Sequence, residues 1–264
     1  METAGEGQGP GRGPAAPDSR SGDVDAGWSS ACRIGGWAAL VSLLASLATM
    51  VVLFTVGGPP ETADETFAVL RDSRLEGLFR LELLTLFNVG AYYLWFFGLY
   101  AALKRTDAAL SALATLLAFA GVTLFLASHP LSSLITLGDR WAVAATEAQR
   151  QQLLAAGEAL MAADMWHSTG AAFGGVIIEC GAILISVVML RSTVFSRTTA
   201  WVGLATHGLD LAQIVLGLFV PAVKVAIMMV AGPLYLVWFF LIGRRLLELG
   251  RAAPTTVTAA LRDR

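Results

Sequence analysis

Thr169-Gly-Ala-Ala-Phe-Gly-Gly-Val-Ile-Ile-Glu-Cys-Gly-Ala-Ile-Leu-Ile-Ser-Val-Val-Met-Leu190 decides the fold class of this chain. The stretch carries one carboxyl, Glu179, and no basic residue. A helix needs about 20 residues at a 1.5 Å rise to cross a hydrocarbon core of about 30 Å. In lipid each backbone N–H and C=O must be satisfied inside the segment, so such a run reads as a helix. The period-two alternation of a membrane barrel is absent. Working outward, five more apolar runs cover about 34–56, 83–103, 108–128, 200–220 and 222–243. The expected fold is an all-α integral membrane bundle of six transmembrane helices within residues 28–250.

Composition points the same way. Of 264 residues, 56% are apolar and only 14% charged, where a soluble domain carries about 25% charged. A net charge of −2 offers no basic field for nucleic acid, so the expected partner is the lipid bilayer. Arg far outnumbers Lys, which fits a GC-rich bacterial genome. Residues 1–27 hold almost nothing large and apolar, and read as a disordered cytoplasmic tail. They lack the basic n-region of a signal peptide. Residues 251–264 read as a second tail. Cys32 and Cys180 fall at different depths and are not expected to pair.

Basic residues set the expected orientation. Arg12, Arg20, Arg33, Lys104, Arg105, Arg191, Arg197, Arg244, Arg245, Arg251, Arg262 and Arg264 collect on one side of the bundle. Arg71, Arg74, Arg80, Arg140, Arg150 and Lys224 fall on the other. The positive-inside rule puts both termini in the cytoplasm of a bacterial plasma membrane. The loops 57–82 and 129–168 are then external. Thr62-x-x-Glu65 and Thr146-x-x-Gln149 are capping boxes. Phe67, Leu70, Leu75, Leu78 and Phe79 follow the first, and Leu153, Leu154, Leu160 and Met161 the second. Both loops read as amphipathic helices at the outer interface, either a brace or a lid over a buried site.

The informative residues are polar ones inside the runs, because an ionisable group at the bilayer centre costs about 2.5–3.5 kcal/mol on insertion scales. Glu179 lies roughly 18 Å along its helix from Arg191, and Asp210 and His207 roughly 20 and 15 Å from Arg197. All three sit near one depth. Ala172, Gly175, Glu179, Ala182 and Ser186 form one small-and-polar stripe, opposite an apolar stripe of Phe173, Ile177, Leu184 and Val188. Gly203, Thr206, His207, Asp210, Gln213 and Gly217 form a second polar stripe. Small residues let membrane helices approach closely, so the two polar stripes are expected to face each other. Asn88, Tyr92 and Trp95 share a face with Thr85, and Tyr235 and Trp238 follow Pro233. These residues, with Gln213, are the candidate ligand contacts around a Glu179/His207/Asp210 acid–base or proton site. The bland alternative is a polar seal between two helices.

No cofactor is indicated: a Gly-rich nucleotide loop, HExxH and GxSxG are all missing. A weak metal candidate is His129 with Asp164-x-x-His167, whose last two residues share a helical face.

Leu153-Leu-Ala-Ala-Gly-Glu-Ala-Leu, Leu184-Ile-Ser-Val-Val-Met-Leu-Arg-Ser, Arg197-Thr-Thr-Ala-Trp-Val-Gly and Trp238-Phe-Phe-Leu-Ile-Gly-Arg-Arg-Leu-Leu resemble segments of uncharacterised bacterial six-span membrane proteins built on a domain of unknown function. The resemblance covers about 153–251 and looks extendable to Glu61-Thr-Ala-Asp-Glu-Thr-Phe. It implies a six-helix membrane fold and no activity.

Three functions stay open at this point. One is a binding protein or proton-coupled carrier for a small or lipid-like ligand at the midplane. Another is an intramembrane enzyme in which a neutral carboxyl protonates an isoprenoid and Tyr92, Tyr93, Trp95, Tyr235 and Trp238 steady a carbocation, as in membrane terpene cyclases. The third is a structural or assembly subunit. Oligomeric state is not legible.

Overall fold

The computed structural model describes residues 26–164 and 167–251. The expected tails therefore lie almost wholly outside the described residues. Among these residues the chain is helical without strands. A 3-10 turn, Ala26–Trp28, leads into α1 (Ser29–Thr55). Then come α2 (Ala63–Asp72), α3 (Arg74–Arg80), α4 (Leu83–Leu103), α5 (Ala108–Ala127), α6 (Leu131–Ala142) and α7 (Glu147–Met161). The chain ends in α8 (Thr169–Arg191), α9 (Arg197–Gly217) and α10 (Pro221–Arg251). Five segments are long and apolar enough to cross a membrane: α1, α4, the stretch Ala108–Ala142 that begins with α5, α8, and Ala222–Arg251 within α10. α9 falls below that mark because its polar stripe lowers its hydropathy.

The six long helices close into a ring in chain order, each packed on its neighbours in sequence, with α10 returning to α1. Short connections force the neighbours α4–α5, α8–α9 and α9–α10, since a few residues can only return the chain beside the helix it has just left. Asp107, Ser168 and Ser196 cap α5, α8 and α9 by accepting from the backbone N–H three residues on. α4 and α10 meet across the ring, burying Trp95, Trp238 and Phe239.

Close helix approach depends on glycine. A Cβ on Gly35 would lie 2.7 Å from the Gly98 Cα, and one on Gly121 would lie 2.5 Å from the Gly174 carbonyl oxygen. So α1–α4 and α5–α8 pack backbone to backbone, as small residues allow in membranes. This corrects one expectation. Val188 was expected on the outward apolar stripe of α8 but is fully buried. α8 is packed on two sides: on α5 through Gly174 and Gly181, and on α9 through Gly175, whose added Cβ would meet Ile214. Phe173 does point outward.

The two long loops, 57–82 and 129–168, form two helices each. Thr62 and Thr146 accept from Glu65 N–H and Gln149 N–H as expected. The return bonds reach one residue further back than in a capping box, from Glu61 N–H and Ala145 N–H. The loop helices pack into one unit. α2, α6 and α7 pack on one another around Ala63, Phe67, Leu70 and Leu134, with Leu154, Leu160 and Met161 alongside. Glu158 of α7 accepts from Ala63 N–H at 2.7 Å. They make a second small core at one end of the ring, while Leu75 of α3 stays exposed. Cys32 is buried, Cys180 is exposed, and both are free thiols.

Candidate functional site

Gly203 explains how α9 presents its polar face. A Cβ there would lie 2.5 Å from both Ser186 Oγ and Trp238 Nε1, so only glycine lets α8 and α10 close on α9 at this level. One turn further on, His207 is fully buried. Its ring stands edge-on to Trp238, with centroids 4.4 Å apart. Its Nδ1 lies 2.7 Å from Glu179 Oε2 of α8. The expected meeting of the two polar stripes is therefore what the structure has.

Tyr235 of α10 joins them. Its hydroxyl donates to Asp210 Oδ2 at 2.8 Å and lies 3.2 Å from Glu179 Oε1 and 3.5 Å from His207 Nδ1. The Tyr235 hydroxyl thus bridges the two carboxyls, Asp210 on one side and Glu179 on the other. Gln213 donates its amide N–H to Asp210 Oδ1 at 3.0 Å. Three side chains thus converge on one phenol, and the proton count becomes a constraint. One hydroxyl supplies one proton and cannot satisfy two ionised carboxylates. Two carboxylates bridged by one hydroxyl repel each other, and a proton shared among these groups would relieve the mismatch. His207 cannot serve as an easy counter-cation: its Nε2 is buried with no partner, so an imidazolium would leave an N–H unsatisfied.

This network floors a cavity of about 670 Å³ between α4, α8, α9 and α10. The volume is within the ordinary range for small-molecule sites, about 300–1,000 Å³. Glu179, Asp210, Gln213, Tyr235, Tyr92 and Asn88 all line it. The walls are apolar, with Val89, Phe125, Ile178, Ile214 and Met228. The mouth lies at the end of the ring that carries the loop helices, between His167, Leu218 and Lys224. None of the described residues lining it comes from α2, α3, α6 or α7; of these four helices, α3 is the one that packs on the ring, against α1 and α4.

Other candidates fall elsewhere. Trp95 and Trp238 are wholly buried behind the cavity wall, edge to face with centroids 5.2 Å apart. Tyr93 points away and its hydroxyl bonds Thr123 at 2.6 Å. His129 Nδ1 accepts from Leu131 N–H, and His167 Nδ1 lies 2.8 Å from Asp164 Oδ1. Among the described residues no group of three His, Cys, Asp or Glu side chains is placed to hold a metal ion. Lys224 was counted only as an outer positive charge, yet it lines the cavity mouth. Its signal was available, as the single basic residue within the last apolar run's first turn. The wall residues had none, since one apolar residue in a membrane helix resembles another.

Comparisons with protein-family models, curated proteins and solved structures find no match to this chain.

Proposed function

We propose that the chain is a six-span protein of the bacterial plasma membrane, with both termini cytoplasmic, that binds a small or lipid-like ligand and exchanges protons with it. The observation that carries the reading is the side-chain network at the cavity floor: Glu179, His207 and Asp210 gathered on Tyr235. Polar contacts between membrane helices average only about 0.6 kcal/mol. Burying two acids for a helix seal is poor value against hydrophobic packing, whereas a site that loads and releases a proton needs them. α9 is treated as the sixth span because it completes the ring and turns Trp201, Val215 and Leu216 outward, like the apolar surfaces of its neighbours. Water would not tolerate such a girdle, but lipid does. The isoprenoid-enzyme reading is weaker, because Trp95, Trp238 and Tyr93 do not reach the cavity.

Infrared difference spectra between about pH 5 and 9 test the proposal, a range in which an ordinary carboxyl no longer titrates. A carboxylic C=O band should change with pH in the wild type and be absent or altered in Glu179→Gln and Asp210→Asn. No titrating band in the wild type, with both amide variants folded and equally stable, would leave only a polar seal.

A further inference from the structure

We propose that the ligand of this cavity is an organic monocation: a protonated amine on an apolar body, taken up against a proton. The inference rests on the binding reading above and names the ligand class for the same site. It begins with donors and acceptors. Gln213 turns its amide nitrogen to Asp210, and its Oε1 is left buried without a partner. Asn88 donates to Ser46 Oγ at 3.2 Å, and its Oδ1 is likewise buried and unpartnered. Gln213 is only 6% exposed. The carboxyls of Glu179 and Asp210 make a floor of acceptors, and the Tyr235 O–H and a Gln213 amide N–H beside them are already engaged inside the protein. A ligand head that brings donors completes it, and one that brings acceptors does not.

Charge selects the same head. Two acids line the floor, and the basic residue that lines the cavity, Lys224, sits eleven residues before Tyr235 on α10, roughly 16 Å away at 1.5 Å per residue. The titratable groups facing the head are Glu179 from α8, His207 and Asp210 from α9, Tyr235 from α10 and Tyr92 from α4, with His167 and Lys224 at the mouth. An ammonium group can take the place of one proton on this pair of acids without changing the buried charge, which is how ligand and proton become exchangeable. Size and wall separate this ligand from an inorganic ion. About 670 Å³ lined by Val89, Phe125, Ile178, Ile214 and Met228 suits an apolar body and is far more than a bare cation fills. Tyr92 and Tyr235 add aromatic rings beside the head, where a cation is attracted to the ring face.

The test uses the purified chain in lipid nanodiscs, empty nanodiscs as reference, and three matched probes: 2-phenylethylammonium, 2-phenylethanol and 3-phenylpropionate. The ammonium should bind at least tenfold tighter than either other probe. Its affinity should rise up to tenfold per pH unit between about pH 6 and 8, with up to one proton released per ligand. Glu179→Gln and Asp210→Asn should each shrink the ammonium-to-alcohol preference tenfold or more. The wild-type series decides alone where a variant fails to fold. Failure of the ammonium to bind, tighter binding of the alcohol or carboxylate, or pH-independent ammonium binding would overturn the proposal. If the infrared carboxyl band titrates while the ammonium shows no preference, the cation proposal falls and the proton-exchange reading survives. If the band is missing, the underlying reading falls with it.

Discussion

The Tyr235 hydroxyl can donate one proton, and three acceptors surround it. That mismatch is the smallest unit of the site and the reason it reads as more than packing. A second residue-scale case lies outside the membrane helices. Glu65 accepts from Glu61 N–H at 3.1 Å and pairs with Arg80, which also donates to the Gly58 carbonyl. The Glu61 N–H first, and then the Arg80 guanidinium, hold the Glu65 carboxyl below its ordinary value. A depressed carboxyl contributes stability that is complete above its unfolded value and is lost as pH falls through the folded one. Because the Glu65 side chain is 41% exposed, solvent screening keeps the effect to about 0.2–1 kcal/mol. Amide exchange in α2, measured relative to α8 and corrected for intrinsic pH dependence, should loosen below about pH 4.5 in the wild type. It should show no such loosening in Glu65→Gln. Equal behaviour of the two proteins would mean that another group carries the acid sensitivity.

Helix pairs are set by where glycine removes bulk. A Cβ on Gly121 would meet backbone atoms of α8 on two sides, the Gly174 oxygen at 2.5 Å and the Ile178 nitrogen at 2.7 Å. Backbone cannot step aside as a side chain can, so Gly121→Ala must part α5 from α8. The expected cost is about 1–3 kcal/mol, the range for overpacking a filled interior. Gly90 of α4 is the control, with nothing within 4 Å of an added Cβ. Gly90→Ala should be neutral or stabilising by about 0.5–1 kcal/mol, because it removes chain entropy from the unfolded state. Thermal unfolding in one detergent should order the proteins as Gly121→Ala below wild type, and Gly90→Ala at or above it. The caps at Thr62 and Thr146 were legible because capping is local, whereas the packing of α2 on α7 was not.

The ring as a whole decides which face of each helix meets lipid. Leu44, Phe87, Leu116, Phe173, Trp201 and Phe240, one from each long helix, all lie outward and exposed. A continuous apolar outer surface around a polar floor is what a bilayer demands and water does not. At this scale the prediction concerns orientation. Lys104, Arg105, Arg191, Arg197, Arg244 and Arg245 cluster at the end of the ring opposite the loop helices, and the cytoplasmic leaflet side favours that end. A reporter fused after Arg264 should read the cytoplasm, and one placed within residues 143–146 should read the opposite side. Identical readings would defeat the orientation and, with it, an even number of spans.

By itself the sequence determined the fold class, the long helices and the level of the polar residues, because each follows from local properties. Run length against membrane thickness, a 3.6-residue period and the 1.5 Å rise need no partner helix. Depth along a helix is arithmetic, so Glu179, His207 and Asp210 could be placed together before any packing was known. Only the tertiary structure decided what surrounds them. Tyr235 reaches the acids because α10 closes the ring beside α9. Trp95 and Trp238 lie behind the wall because α4 and α10 meet across the centre. Val188 is buried because α8 has two packed sides. Lys224 belongs to the site because the mouth opens at the loop-helix end of the ring. Rotation of one helix against another depends on the shapes of both partners, and neither helix carries that information alone.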